Sequence, residues 1–307
     1  MTFKITKLFH LIQVTDDYAG LDAWYEEVFG AIRFTDGVDN FPYLEVEKRN
    51  ATLTAVAGAC IEPISPAFQV EGWEQAPIGR RYSKVGAHWY SLAWHLDDPL
   101  DLYRHLKSKG VRFFGQGGAS GEPTADDPLF THPKDTGCAL EFMDHRAKGL
   151  SAMPDPRFTD PNYAAIDWTT RTPLGLRDLG YITVVTSDLD RGKTVFADWL
   201  KGTVLGESTS ELTGTQDVYV QVGESVIQLA KPLGGESLAD ADLAKNGESM
   251  HSVTWLVADL AKAKAFLAEK SVKFLAEDDH TLLADPSTTF GANYRFTDLR
   301  ADQLAAR

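Results

Sequence analysis

The sequence predicts an α+β fold made of four βαβββ modules, and internal repeats are the main reason. Residues 94–113 (WHLDDPLDLYRHLKSKGVRF) align without a gap on residues 255–274 (WLVADLAKAKAFLAEKSVKF) and share Trp, Asp, Leu, Lys, Val and Phe at matched positions. A second pair of segments starts at residues 8 (LFHLIQVTDD) and 179 (LGYITVVTSD). Repeated supersecondary units fix the architecture of a chain, so each half is expected to hold two modules.

The first module shows the order strand, helix, strands. Residues 2–14 alternate roughly as a strand, and residues 18–29 (YAGLDAWYEEVF) carry apolar side chains at helical spacing with Gly30 after them. Residues 41–47 (FPYLEVE) and 51–61 (ATLTAVAGACI) supply the β segments that follow. This order predicts one complete βαβββ unit at the N-terminus.

The same order recurs three more times. The second module starts near Gly86, has its helix over residues 99–109 and ends in a strand around residues 139–143. The third and fourth modules restart at residues 178 and 248. We therefore divide the chain into a two-module domain over residues 1–147, a proline-rich linker over residues 148–177 and a second two-module domain over residues 178–307.

The composition excludes several classes of function. The chain has 307 residues, of which 43% are hydrophobic and 24% charged, so each half can bury its own core. A formal charge of −14 argues against nucleic acid or an anionic membrane surface as a partner, because both require a basic patch. The two cysteines, Cys60 and Cys138, are too few for a disulfide framework, and no long apolar segment is present. We expect a cytoplasmic protein that acts on a small molecule.

Several motifs give the chain a family resemblance. They are His10 followed by Asp17 and the pair WY at residues 24–25, the strand and helix over residues 94–110, and the segment HPKDTGCALEF at residues 132–142. The chain resembles the vicinal oxygen chelate superfamily, which includes glyoxalases, bleomycin-resistance proteins and extradiol dioxygenases. The last segment is similar to the stretch before the glutamate ligand of methylmalonyl-CoA epimerases. This resemblance implies two tandem domains with open, curved mixed sheets.

The resemblance also implies four metal-ligand positions in each domain, on the first and last strands of each module. In the first domain these positions fall on His10, Glu62, the region of His88, and Glu141. In the second domain the same alignment gives, in the same order, Tyr181, Gln228, His251 and Arg295. The first set suits one divalent Fe, Mn, Co, Ni or Zn ion, because these metals accept imidazole nitrogen and carboxylate oxygen.

Two positions depart from the family pattern. The repeat places Tyr90, and not a histidine, opposite His251, and His88 can serve as the ligand only if a β-bulge shifts the register. In the second domain Arg295 would oppose a metal with a permanent positive charge. We therefore expect the metal in the first domain and a degenerate site in the second, where Arg295 binds an anionic group of a ligand.

Three functions are compatible with these residues. The first is isomerase, epimerase or lyase chemistry through a metal-bound enolate, with Glu62 and Glu141 as catalytic groups. The second is ring cleavage by an extradiol-type dioxygenase with Fe(II), and the third is metal-free binding of an antibiotic-type small molecule. Substrate contacts are assigned to Tyr90, Trp94, His132 and Arg295, and exposed edge strands favour a homodimer.

Overall fold

The structure is a computed structural model that describes residues 2–35, 43–115, 121–148 and 154–306. The first of its two mixed sheets has the strand order β2-β5-β6-β1-β7-β10-β9-β8, with β4 joined to β6 and β3 joined to β4. These strands are β1 (Lys4–Val14), β2 (Ile32–Arg33), β3 (Tyr43–Leu44), β4 (Arg49–Ala51), β5 (Thr54–Val56), β6 (Ala59–Pro66), β7 (His88–Asp97), β8 (Phe113–Phe114), β9 (Leu129–Thr131) and β10 (Ala139–Met143).

The second sheet repeats this plan in the order β12-β13-β14-β11-β15-β18-β17-β16. In both sheets an antiparallel pair formed by the first strands of two modules is flanked on each side by a parallel last strand. The predicted α+β fold with four βαβββ modules is confirmed. The strands are β11 (Leu176–Val185), β12 (Thr203–Ser210), β13 (Thr215–Val222), β14 (Ser225–Pro232), β15 (Ser249–Val257), β16 (Phe274–Glu277), β17 (Thr281–Ala284) and β18 (Asn293–Thr297).

A helix follows the first strand of every module. The first of these helices is capped by Asp17, whose side chain accepts from the backbone N–H of Gly20, and it ends at Gly30 with a φ of 66°. No helix among the described residues combines the length and apolar character needed to cross a membrane. The helices are α1 (Tyr18–Phe29), α2 (Pro77–Val85), α3 (Pro99–Ser108), α4 (Pro133–Thr136), α5 (Pro156–Thr159), α6 (Leu189–Lys193), α7 (Leu238–Asn246), α8 (Leu260–Glu269) and α9 (Ala301–Leu304).

The predicted strand over residues 41–47 is shorter in the structure. Its first two residues lie outside the described ranges, and Tyr43–Leu44 forms β3. Glu45–Glu47 is a turn of 3₁₀ helix. This turn matters for the site, because it carries Glu47 to the start of β4.

The two sheets share one continuous hydrophobic core. The buried indole of Trp89 donates to the backbone carbonyl of Asn293 over 2.9 Å. The hydroxyl groups of Tyr25 and Tyr294 are hydrogen-bonded to each other, and Tyr294 also donates to the side chain of Gln13. Because these contacts join the first and second sheets, the position of one domain constrains the other.

Candidate functional site

Three of the predicted ligands converge in the first sheet. Nε2 of His10 lies 3.0 Å from Oε2 of Glu141 and 3.4 Å from Oε2 of Glu62. The three side chains come from β1, β6 and β10, and each is at least nine-tenths buried. We call these three residues the N-terminal cluster. They meet because β6 and β10 flank the central strand pair on its two sides.

Arg49 and Glu47 extend the N-terminal cluster, although the sequence analysis assigned neither. Nη1 of Arg49 lies 3.3 Å from Oε1 of Glu62, and Nε donates to Oε2 of Glu47 over 2.6 Å. The side chain of Arg49 is 12% exposed. One guanidinium group therefore neutralises a buried carboxylate, and a second carboxylate holds that guanidinium in place.

These charges shift the pKa values of the cluster. Burial by itself lowers the pKa of His10, but the neighbouring Glu141 and Glu62 carboxylates raise it above its ordinary value. Burial raises the pKa of Glu62, and Arg49 and His10 partly oppose this rise. The arrangement thus favours the protonated form of His10. It also brings the pKa of Glu62 nearer to neutral pH than that of a solvated glutamate.

Tyr90 occupies the fourth position in the first sheet. It lies in a β-bulge, between the strand pairs Ile12–Ser91 and Gln13–Trp89. The bulge considered for His88 is present, but it contains Tyr90. The guanidinium carbon of Arg81, on α2, lies 4.6 Å from the centroid of the Tyr90 ring, and burial raises the pKa of the phenol.

His88 is directed away from the N-terminal cluster. Its Nε2 lies 3.0 Å from both carboxylate oxygens of Asp242, on α7 of the second domain. Oδ2 of Asp242 also lies 2.6 Å from Nδ1 of His251. The structure therefore removes His88 from the predicted ligand set, because its imidazole is bound to the neighbouring domain.

Two predicted substrate contacts lie elsewhere. Trp94 is fully buried, stacks on Phe142 and donates to Oγ of Ser225 over 2.9 Å, so it belongs to the core. His132 is the N-cap of α4, where its Nδ1 accepts from the backbone N–H of Lys134 over 3.2 Å. Both side chains already have structural partners, and their roles as substrate contacts stay predictions.

The N-terminal cluster meets only part of what the divalent metal implied by the resemblance requires. Its imidazole nitrogen and carboxylate oxygens have the right chemistry. However, the Arg49 guanidinium is bound to Glu62, and a dication placed there would meet this fixed positive charge. Within residues 2–35, 43–115, 121–148 and 154–306, no three His, Cys, Asp or Glu side chains are arranged to hold a metal ion. The cluster as it stands does not fit the metal.

The second sheet reproduces the four positions with different chemistry. Thr183 pairs with Ser252 and Val184 pairs with Met250, which leaves His251 in a bulge equivalent to that of Tyr90. The other three positions hold Tyr181, Gln228 and Arg295, all buried, and Nη1 of Arg295 donates to Oε1 of Gln228 over 3.0 Å. The repeat therefore places an arginine where the first domain has Glu141.

Asp217, on β13, adds a carboxyl group that the sequence analysis did not assign. It is fully buried, and the side chains of Thr215 and Gln228 are its polar neighbours. Burial raises its pKa to about 6, although the charge of Arg295 opposes the rise. Ionisation of this carboxyl group at neutral pH therefore destabilises the folded protein.

Replacing Asp217 by Asn is expected to stabilise the protein at high pH. A carboxyl group whose folded pKa is raised contributes stability that is complete below its unfolded pKa of 3.8 and is lost as the pH rises through about 6. The free energy of unfolding of the Asp217→Asn variant should therefore be about 2 to 3 kcal/mol higher than that of the wild type near pH 8. This difference should shrink toward pH 4. Urea denaturation at both pH values measures this.

Asp279→Asn is the matched control, because Asp279 is exposed. Its free energy of unfolding should follow that of the wild type at both pH values. If Asp217→Asn is less stable than the wild type near pH 8, the Asp217 carboxylate is a stabilising anion in the folded protein.

Comparison with known proteins supports the fold. No protein-family model matches the chain, and no curated protein matches it. The structure is similar to a mutant of 4-hydroxymandelate synthase from Streptomyces coelicolor, with a TM-score of 0.65 and 11% identity over 95% of this chain and 92% of the other. It also matches methylmalonyl-CoA epimerase from Mycobacterium tuberculosis, with a TM-score of 0.39 and 21% identity over 43% of this chain and 93% of the other.

At 11% identity, the likeness to 4-hydroxymandelate synthase establishes the fold alone. The likeness therefore supports the predicted four-module α+β fold. The reaction has to be argued from the side chains of this chain.

Proposed function

We propose that the chain is an enzyme that removes a proton next to a carbonyl group of a small oxygenated organic substrate, as isomerases, epimerases and lyases do. The observation that supports the proposal is the N-terminal cluster itself. Two buried carboxylates and a buried imidazole meet within 3.4 Å, beside a guanidinium group. Buried ionisable groups with shifted pKa values are typical of sites of acid and base catalysis.

Each residue has a role in this reaction. Glu62 is the base, because its raised pKa suits proton transfer near neutral pH. The C–H bond breaks, the proton goes to the Glu62 carboxylate, and the electron pair moves to the carbonyl oxygen as an enolate. His10 and Arg49 supply positive charge for that oxygen. Glu141 orients His10 and keeps it protonated.

Deuterium exchange tests the proposal. The protein is incubated in D₂O with a panel of 2-oxoacids and acyl thioesters that carry a hydrogen next to the carbonyl, and the loss of that hydrogen is followed by proton NMR. We expect the wild type to accelerate exchange for at least one compound and the Glu62→Gln variant to lose this activity. Equal exchange by both proteins would reject Glu62 as the base.

The metal-dependent form of this enzyme is the second candidate. The observation that favours it is the approach of three donor groups, so that His10, Glu62 and Glu141 would hold an Fe, Mn, Co, Ni or Zn ion if Arg49 left Glu62. Metal analysis of the untagged wild type and of Glu141→Ala separates the candidates, because about one equivalent lost on substitution supports a metal site.

Two further outcomes address the other functions. Oxygen consumption with catechols by a protein loaded with Fe(II) would support the extradiol-type dioxygenase. Tight binding of a compound without turnover, unchanged by Glu62→Gln, would support the small-molecule binding protein.

A further inference from the structure

The guanidinium group of Arg295 is a buried positive charge without a carboxylate partner. Arg295 is 5% exposed, and its Nη1 contacts the neutral oxygens of Gln228 and Thr183 at 3.0 and 3.4 Å. No carboxylate oxygen of the described residues lies within 4.0 Å of its guanidinium. By contrast, the buried side chains of Arg49 and Arg157 both have carboxylates bound to them.

A buried charge of this kind requires an anion. Transfer of an unpaired ion from water into a protein interior is so costly that buried charges are paired. Asp217 is the neighbouring carboxyl group, but its oxygens lie more than 4.0 Å from the guanidinium, too far for an ion pair. It therefore balances only part of the charge of Arg295.

The strands around Arg295 also present a hydrogen-bonding group that is unused. The buried hydroxyl group of Ser252 has no hydrogen-bond partner among the described residues, and the buried hydroxyl group of Thr254 lies beside the phenol of Tyr181. Thr254 is paired with Arg295 in the sheet, and Ser252 lies on the same face two residues before it. Buried polar groups are normally satisfied, so an unused donor and a cation on one face indicate a missing acceptor.

We propose that the second domain binds a small organic carboxylate at Arg295, with the hydroxyl groups of Ser252 and Thr254 donating to it. One guanidinium balances one negative charge, and nearby Asp217 disfavours a dianion such as phosphate. A carboxylate also accepts two parallel hydrogen bonds from a guanidinium.

The inference does not depend on the function proposed for the N-terminal cluster. Calorimetric titration of the full-length protein with sodium acetate, propanoate and pyruvate tests it, with sodium chloride at equal ionic strength as the reference. We expect saturable binding of at least one carboxylate by the wild type. Arg295→Met should weaken that binding by at least about tenfold, the loss expected for one charge-assisted hydrogen bond.

Arg146→Met is the control, because Arg146 is paired with Asp144 and lies outside both proposed sites. It should leave the binding constant unchanged. Binding that is lost in Arg49→Met and kept in Arg295→Met would move the anion to the N-terminal cluster and overturn the inference. Absence of carboxylate binding by the wild type would overturn it as well.

Thr254→Val keeps the test decisive if Arg295→Met does not fold. This variant preserves the shape and the strand propensity of Thr254 and removes only the hydroxyl group. We expect it to weaken carboxylate binding several-fold, whereas an unchanged binding constant would exclude Thr254 from the site.

Discussion

Replacing Glu62 by Gln is expected to slow proton exchange on the substrate by about 10² to 10⁴-fold, the usual contribution of a positioned base. The amide has nearly the same shape as the carboxylate but cannot accept the proton. It also leaves the Arg49 guanidinium without the carboxylate at 3.3 Å, so the charge balance of the cluster changes. The initial rate of deuterium uptake, measured by NMR at a fixed substrate concentration, gives the effect.

Glu248→Gln provides the control for this experiment. Glu248 is also a largely buried glutamate that is bound to an arginine, Arg191, but it lies outside the N-terminal cluster. The exchange rate of the Glu248→Gln variant should match that of the wild type. A Glu62→Gln protein that folds, as judged by circular dichroism, and exchanges at the wild-type rate would contradict the proposed role.

Glu141→Gln is expected to change the pH dependence as well as the rate. The Glu141 carboxylate is one of two groups that raise the pKa of His10. Without its charge the imidazole loses its proton at a lower pH, so the alkaline limb of the pH–rate profile should move to lower pH. Exchange rates measured across the neutral range show this, and an unmoved limb would mean that His10 does not act as a cation.

The repeat made much of the site predictable. The family resemblance implies ligand positions on the first and last strands of each module, and aligning one module on another assigns these positions to His10, Glu62 and Glu141 with no knowledge of distances. The same alignment paired Tyr90 with His251, and both lie in equivalent bulges. Because the same bulge occurs in both sheets, it shifts the strand register equally in both. Positions that are aligned in the sequence are therefore equivalent in the structure.

Other features could not be predicted, because they depend on contacts between segments that are distant in sequence. His88 is bound to Asp242 only because the second domain packs against the first. Arg49 reaches Glu62 because β4 pairs with β6, a pairing that the pattern of apolar residues does not specify. The one available signal was the run EVEKR at residues 45–49, whose charges are unusual directly before a buried strand.

Arg157 is expected to be among the most important residues for stability. Its side chain, 2% exposed, is bound to Asp155 and donates to the backbone carbonyls of Leu8 and Gly58 over 2.7 Å and of Phe9 over 3.0 Å. Arg157→Ala would leave a buried carboxylate unpaired and remove the donor from three carbonyls. Breaking a buried ion pair in this way costs about 3 to 5 kcal/mol, which urea denaturation should show as a lower free energy of unfolding.

The chain contains a matched pair that isolates burial as the cause. Arg146 is bound to Asp144 with the same spacing of two residues as Arg157 and Asp155, but its side chain is 63% exposed. Solvent screens that pair, so Arg146→Ala should cost about 1 kcal/mol or less. If both substitutions lowered the free energy of unfolding equally, the contribution of Arg157 would come from the local turn with Asp155. It would then not come from the hydrogen bonds that hold the linker segment against β1. A large effect confined to Arg157 would instead show that this segment is held as part of the first domain.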